Sequence, residues 1–136
     1  MEINKAIVFF FAFIAMALCA LIKLMTIDSL SYTKENWFYD HFFSMEVIKE
    51  TPLVSQNYYI TYSAHDGNKP ETNIIFFMGT ADQSKLEGYL VAKGFIPENI
   101  DANTIRWRSL SYSEYDVYLS VYPDKKEIIM AAVALD

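Results

Sequence analysis

The sequence predicts an α+β fold in which an N-terminal transmembrane helix precedes a small two-layer domain. An uninterrupted apolar run occupies residues 6–22, and from about residue 50 apolar, β-branched and aromatic residues alternate as in strands. One segment near residue 85 carries helix start and stop signals instead. We therefore expect an anchor followed by β-β-α-β-β-β, an antiparallel sheet with one helix packed on one face.

The apolar run has the length of a membrane span. Its 17 residues, "AIVFFFAFIAMALCALI", contain no polar side chain, and Lys5 and Lys23 flank it. A helix crosses the hydrocarbon core with roughly 17–25 residues, and flanking lysines reach the headgroups. Membrane lipid is therefore the first predicted partner. The residues predicted to form the span are Ala6, Ile7, Phe9, Phe10, Phe11, Phe13, Ile14, Leu18, Leu21 and Ile22.

A cleaved signal peptide is the alternative interpretation of this run. Ala15 and Ala17 form an A-x-A cleavage pattern, although the apolar run continues beyond it. Cleavage would release a soluble periplasmic or secreted protein. Cys19 raises a lipoprotein interpretation, but Leu18 before it is larger than the usual small residue. As Cys19 is the one cysteine of the chain, no intramolecular disulfide can form.

The charges around the run predict its orientation only weakly. One lysine lies on each flank, so the positive-inside rule gives little preference for either orientation. An N-terminal anchor with a long C-terminal part usually translocates that part. We expect a single-pass protein of the inner (cytoplasmic) membrane whose C-terminal domain is periplasmic.

Three segments follow from this interpretation. Residues 1–27 form the anchor or signal peptide, 28–49 an aromatic juxtamembrane segment predicted to be helical, and 50–136 an extracytoplasmic α+β domain. The juxtamembrane helix either lies at the bilayer surface or packs on the sheet. Its aromatic side is predicted to be Trp37, Phe38, Tyr39, Phe42 and Phe43.

Five strands and one helix are predicted in the domain. The helix covers Ala81–Lys93, with a capping box from Thr80 and Gln83 and a left-handed C-cap at Gly94. Residues 95–103 are predicted to be a loop. Asp66-Gly67 and Pro123-Asp124 are turn signals between neighbouring strands. The predicted strands are Tyr58–Ala64, Asn73–Met78, Thr104–Ser109, Tyr115–Tyr122 and Glu127–Leu135. The second of these is apolar on both faces, which predicts a central strand covered above and below.

The tyrosines of "YSEYDVYLSVY", residues 112–122, have helical spacing, but a strand is the better interpretation. The segment contains two valines, and it ends in a turn proline without a helix cap. A strand places Tyr115, Val117, Leu119 and Val121 inward. The other face then carries Asp116, Tyr118, Ser120 and Tyr122.

The sequence offers no pattern typical of catalysis or of cofactor binding. His41 and His65 lack metal-ligand spacing, no second cysteine is available for zinc, and no nucleophile elbow occurs. We therefore predict no catalytic residue, no metal and no cofactor, and expect the protein not to be an enzyme. No small-molecule substrate is inferred.

The composition and charge of the domain favour a protein-recognition surface. Beyond residue 25 the chain has nine Lys and Arg against 16 Asp and Glu, a net charge of −7. This acidity argues against nucleic acid and permits a basic protein partner. Tyr118 and Tyr122 are expected on an open sheet face, beside either the two arginines or the tryptophan of the neighbouring strand. The candidate protein-binding residues are Arg106, Trp107, Arg108, Asp116, Tyr118 and Tyr122.

The functional hypothesis is a membrane-anchored, non-enzymatic protein whose small acidic domain binds another protein. Immunity proteins and enzyme inhibitors of the bacterial envelope share this format, which is an analogy of format alone. The alternatives are a structural accessory subunit of an inner-membrane complex, associating through the Phe-rich span, and a soluble periplasmic protein after signal cleavage.

Overall fold

The apolar run forms the middle of one continuous helix. The structure, a computed structural model, describes residues 2–25 and 29–135, and helix α1 covers Glu2–Met25. Every side chain of the run 6–22 is exposed on this helix. The helix is long and apolar enough to span a membrane or to serve as a signal sequence. The predicted boundary between residues 27 and 28 lies outside the described residues.

The described residues form one sheet of seven antiparallel strands. The strands are β1 (Ser29–Tyr32), β2 (Tyr58–Ser63), β3 (Thr72–Met78), β4 (Ile96–Asn99), β5 (Thr104–Arg108), β6 (Tyr115–Tyr122) and β7 (Glu127–Ala134). Their order across the sheet is β1-β2-β3-β7-β6-β5-β4. The α+β class predicted from the sequence is confirmed, and the sheet is wider than predicted by one short strand at each edge.

Two antiparallel meanders meet at the centre of this sheet. Strands β1 to β3 pair in chain order, and so do β4 to β7. β3 then pairs with β7, which places Ile75 opposite Met130 and Phe77 opposite Ile128. The chain therefore crosses from β3 at the centre to β4 at the far edge, and helix α4 (Ser84–Ala92) lies in this crossover.

The core lies between one face of the sheet and the short helices. Helices α2 (Trp37–Phe43), α3 (Glu46–Lys49) and α4 pack on this face, which we call the covered face. Tyr115 and the alternate residues after it point into the core, so the strand interpretation of this segment is confirmed. The buried hydrophobic side chains are Tyr32, Val47, Ile48, Ile60, Ile75, Phe77, Leu86, Leu90, Phe95, Trp107, Tyr115, Val117, Leu119, Ile128, Met130 and Ala132.

Helix α4 is shorter than predicted at its start. The predicted capping box does not form, since Gln83 occupies the N-cap without a side-chain cap bond. Asp82 instead accepts hydrogen bonds from the backbone N–H and the hydroxyl of Ser84, a local turn that competes with helix. The predicted end is confirmed: Gly94 has φ +88°, and the N–H of Phe95 bonds the carbonyl of Leu90.

The juxtamembrane segment, residues 28–49, is helical only in part, although its aromatic residues do lie on a short helix, α2. Its first described part is strand β1, which pairs with β2 and places Tyr32 opposite Ile60. Two short helices, α2 and α3, follow. Strand β1 escaped prediction because "SLSY" is short and half polar, and an edge strand needs backbone pairing on one side only.

Strand β4 corrects the prediction of a loop over residues 95–103. It pairs with β5 through Ile96–Asn99. The strand contains Pro97, which an edge strand tolerates because one side of its backbone needs no hydrogen-bond partner. All four side chains of β4 are exposed.

Asn73 is a buried polar residue that joins three parts of the chain. Its Oδ1 accepts a hydrogen bond from the N–H of Met45 at 2.8 Å, just before α3. Its Nδ2 donates to the Thr61 carbonyl on β2 at 3.0 Å and to the Tyr32 hydroxyl on β1 at 3.2 Å. The buried amide is thereby satisfied, and it fixes the juxtamembrane segment to the sheet.

Substituting Asn73 by Ala should destabilise the domain by about 2 kcal/mol, since buried groups on three elements lose their partner. The free energy of unfolding of the full chain in detergent micelles, measured with guanidinium chloride, checks this. Asn68→Ala, at an exposed turn position, is the matched control and should change stability by less than about 0.5 kcal/mol. Equal stability of the two variants would contradict the anchoring role of Asn73.

Several tyrosines on the covered face have hydroxyl groups whose pKa is raised above the ordinary value. Burial, together with the hydrogen bond that its hydroxyl donates to Glu71 at 3.0 Å, raises the pKa of Tyr62 to about 12. Burial likewise raises the pKa of Tyr32, Tyr89 and Tyr115. In each case the folded state holds the phenolic proton more tightly than the unfolded chain does.

The free energy of unfolding should therefore fall in alkali. The contribution of Tyr62 is complete below about pH 10, where the unfolded tyrosine begins to ionise. It is lost as the pH rises through the folded-state pKa of about 12. Denaturant midpoints at about pH 8 and about pH 11 measure the decline, and Tyr62→Phe should make it shallower. An identical decline in the wild type and the variant would show that Tyr62 is not its source.

Candidate functional site

The second face of the sheet, which we call the open face, carries most of the predicted binding residues. Tyr118 lies opposite Arg106 on β5, and Arg106 lies opposite Glu98 on β4. Asp116 is two residues from Tyr118 on β6 and therefore shares its face. Among the open-face side chains of the described strands, only that of Asp116 is buried. The structure thus brings Arg106, Arg108, Asp116 and Tyr118 together on one accessible surface.

Trp107 does not belong to this surface, which corrects its place among the candidate residues. It lies opposite Val117 on the covered face and is 3% exposed. The sequence left two phases for strand β5, with either the arginines or the tryptophan on the open face. Because the large indole is buried against the core, the two arginines lie on the open face.

Arg106 forms an ion pair along the edge of the open face. One of its guanidinium nitrogens donates a hydrogen bond to Glu98 Oε2 at 2.5 Å. This bond lowers the pKa of Glu98 and raises the pKa of the Arg106 guanidinium. Because both side chains remain in contact with water, the pair orients them more than it stabilises the fold.

Arg108 forms the second ion pair, and here one partner is buried. Its Nε donates to Asp116 Oδ2 at 3.3 Å; the Arg108 side chain is 57% exposed and that of Asp116 only 5%. A buried carboxylate is costly without a cation or hydrogen-bond donors. Arg108 therefore has a structural task in addition to any role at the surface.

A depression of about 550 Å³ opens beside the Arg108–Asp116 pair. Around it, Leu110 is 97% exposed, Ile96 67% and Leu135 49%. Its lining also includes Pro97 and Glu98 of β4. The depression thus combines three exposed aliphatic side chains with an ion pair.

A row of apolar residues extends the open face across β2, β3 and β7. Tyr59 stacks on Phe76 with ring centroids 4.6 Å apart. Ile74, Ile129 and Val133 also lie on this face and are partly exposed. The central position predicted for β3 is confirmed, but the expected cover on both faces is wrong. Ile74 and Phe76 alternate along β3 and were expected to lie under a second covering layer. They instead form a partly exposed apolar surface.

Tyr122 shares the open face but lies away from the depression. It is six residues from Asp116 on the same strand, a distance of about 20 Å at roughly 3.3 Å per residue. Its ring is 5.8 Å from Lys125 Nζ in the adjacent turn, and it pairs with Glu127. It belongs to the β6–β7 hairpin end of the face.

The two histidines stand apart from this surface. His41 lies in α2 and stacks on Trp37 at 5.0 Å between ring centroids. His65 lies in the exposed β2–β3 turn. Within residues 2–25 and 29–135, no three His, Cys, Asp or Glu side chains are placed to hold a metal ion. The site described above is thus one of ion pairs and apolar contacts.

Replacing Arg108 by Ala should destabilise the fold by about 1–2 kcal/mol, because the buried Asp116 carboxylate loses its cation. Arg106→Ala is the matched control and should have a much smaller effect, since Glu98 can be hydrated. Thermal unfolding of the full chain in detergent at neutral pH measures both. A larger loss for Arg106→Ala would reverse the assignment of the structural arginine.

Comparison of the chain with protein-family models, with curated proteins and with solved structures finds no match.

Proposed function

We propose that this chain is a membrane-anchored binding protein whose domain captures another protein at the depression beside Arg108 and Asp116. The observation that carries the proposal is the exposure of Ile96, Leu110 and Leu135 around that depression. The exposed surface of these side chains adds little to the stability of the isolated domain. They become favourable when a partner covers them, at about 25 cal/mol per Å² of apolar surface removed from water.

The net charge of the domain fits a partner with a basic face. The carboxylates at the depression, Glu98 and Asp116, are paired with Arg106 and Arg108, but the chain beyond residue 25 has a net charge of −7. Such a domain attracts a cationic protein over long range, which accelerates association more than it tightens the final complex. Added salt should therefore slow association while leaving the apolar contacts in place.

The anchor explains why a small binding domain is sufficient. If α1 spans the membrane, the domain stays confined to that surface, where its effective concentration is high. We propose that the domain lies outside the cytoplasm, bound to the inner membrane, and acts without catalysis, as an immunity protein or inhibitor does. The exposed, apolar length of α1 supports the anchoring, and the exposed aliphatic side chains at the depression support the capture of a protein.

The phenylalanines of α1 favour a second candidate, an accessory subunit that assembles through its span. Phe9, Phe10, Phe11 and Phe13 are all exposed on the helix. Packing of such rings against another transmembrane helix would place recognition in the lipid phase. Replacement of residues 6–22 by an unrelated apolar span separates the two candidates, because it abolishes this assembly and leaves capture by the domain intact.

Leu110→Asp should weaken capture of the partner at least tenfold, since it places a charge at the centre of the apolar contact. The full-length protein is retrieved from detergent-solubilised membranes after crosslinking, and the partner is quantified by mass spectrometry. Val91→Asp is the matched control: it changes an exposed valine of α4 that does not line the depression.

Two outcomes would contradict the proposal. One is recovery of the same proteins at the same level with the wild type and with Leu110→Asp. The other is loss of capture with Val91→Asp as well, which would place the contact elsewhere. The fold of both variants is verified by circular dichroism, and Leu110 is too exposed for its replacement to disturb the core.

A further inference from the structure

Helix α2 has one side in the domain and an aromatic side in solvent. Tyr39 and Phe43 face the sheet, with the Phe43 ring 5.3 Å from Tyr62 of β2. On the other side Trp37 is 67% exposed and Phe42 62%, and Phe38 is exposed as well. Together with His41 these three form what we call the aromatic patch.

The rings of the aromatic patch are already assembled. Trp37 and His41 stack at 5.0 Å, and Phe38 and Phe42 lie 4.8 Å apart. A helix of seven residues is not stable by itself. It is held by the sheet beneath it and by Asn36, whose side chain accepts a hydrogen bond from the N–H of Tyr39. The patch is thus presented outward by a fixed element rather than by a loop.

The chain path keeps the aromatic patch close to the end of α1. Met25 and Ser29 are four residues apart, so strand β1 begins within about 14 Å of the last residue of α1. Strand β1 is in turn fixed to α2, because the Tyr32 ring packs at 6.1 Å from that of Tyr39 and its hydroxyl lies 2.6 Å from Ser44 Oγ. A membrane that contains α1 therefore lies within reach of this side of the domain.

We propose that the aromatic patch (Trp37, Phe38, His41 and Phe42) inserts into the headgroup region of the bilayer that α1 spans. This rests on the membrane anchoring in the proposed function. Tryptophan and other aromatic side chains favour the interface, where an apolar ring and a polar edge are both satisfied. Lipid is the expected occupant, because a membrane that contains α1 lies within reach of the patch.

The chemistry of the insertion is apolar. In and beside α2 the carboxylates of Glu35, Asp40 and Glu46 outnumber the lysines Lys34 and Lys49, and the chain beyond residue 25 is acidic, so anionic lipid offers no attraction. Phosphatidylcholine is sufficient, and salt has little effect. This separates the aromatic patch from the depression, where association with a basic partner is salt-dependent.

Insertion would also determine how far the depression lies from the membrane surface. Helix α2 packs over β1 and β2 at one edge of the sheet, and the depression lies at β4, the other edge. Six spacings of about 4.8 Å separate the two edge strands, or about 29 Å. The domain would thus stand with β1 toward the membrane and with Ile96 and Leu110 directed away from it.

Fluorescence quenching by lipid tests the insertion. The full chain is reconstituted into phosphatidylcholine vesicles with or without bromine on the upper acyl chain, in low and high salt. Trp37 and Trp107 are the two tryptophans. Trp107 is buried in β5, four strand spacings or about 19 Å from β2, and serves as the internal reference. Trp37→Phe removes the reporter and retains an aromatic ring.

Brominated lipid should reduce the emission of the wild type about twofold, and that of Trp37→Phe hardly at all. Phe38→Ser with Phe42→Ser should abolish the quenching of Trp37, while Lys85→Ser, an exposed change in α4, should preserve it. Equal quenching of the wild type and Trp37→Phe overturns the inference, because Trp37 then does not reach the acyl chains. Failure of the chain to float with the vesicles overturns the anchoring itself, so the two failures are distinguishable.

Discussion

The pairing of β3 with β7 is the constraint on which the rest of the domain depends. It joins two meanders that otherwise have no shared sheet, and it links residues about 55 positions apart in the chain. Its register places Ile75 beside Met130 and Phe77 beside Ile128, all fully buried. A slip of one residue would turn these side chains to the open face, so the core fixes the register. The same register aligns Ile74 with Ala131, and Ala131 with Tyr118, across the open face.

This topology leaves two sheet edges, and each is associated with a different surface. Strand β1 is four residues long and lies under the helix that carries the aromatic patch. Strand β4 is equally short, contains Pro97 and borders the depression. Short edges with a proline or a covering helix resist uncontrolled strand addition. The side chains beside each edge, rather than its backbone, are therefore the features available for recognition.

The sequence predicted the parts of the fold that depend on long apolar patterns. The α1 run, the central strands and the Gly94 end of α4 follow from periodicity and backbone chemistry. Strands β1 and β4 could not be predicted, because a four-residue edge strand is defined by its partner and not by its own composition. The placement of Trp107 on the binding surface was wrong for a related reason. The segment "TIRWR" can turn either the arginines or the tryptophan to the core, and only the pairing of Trp107 with Val117 shows that the indole lies in the core. The exposed position of Leu110 likewise depends on the β5–β6 turn and has no local signature.

The two ion pairs change what the predicted arginines can do. As free cations, Arg106 and Arg108 would have opposed a basic partner. In the structure each is bonded to a carboxylate of the adjacent strand, Glu98 or Asp116, so the site is locally neutral. Exposed ion pairs add little affinity, but their fixed dipoles disfavour partners with mismatched charge. The affinity of the proposed complex must then come from Leu110 and its apolar neighbours, and the paired charges determine which basic surface fits over them.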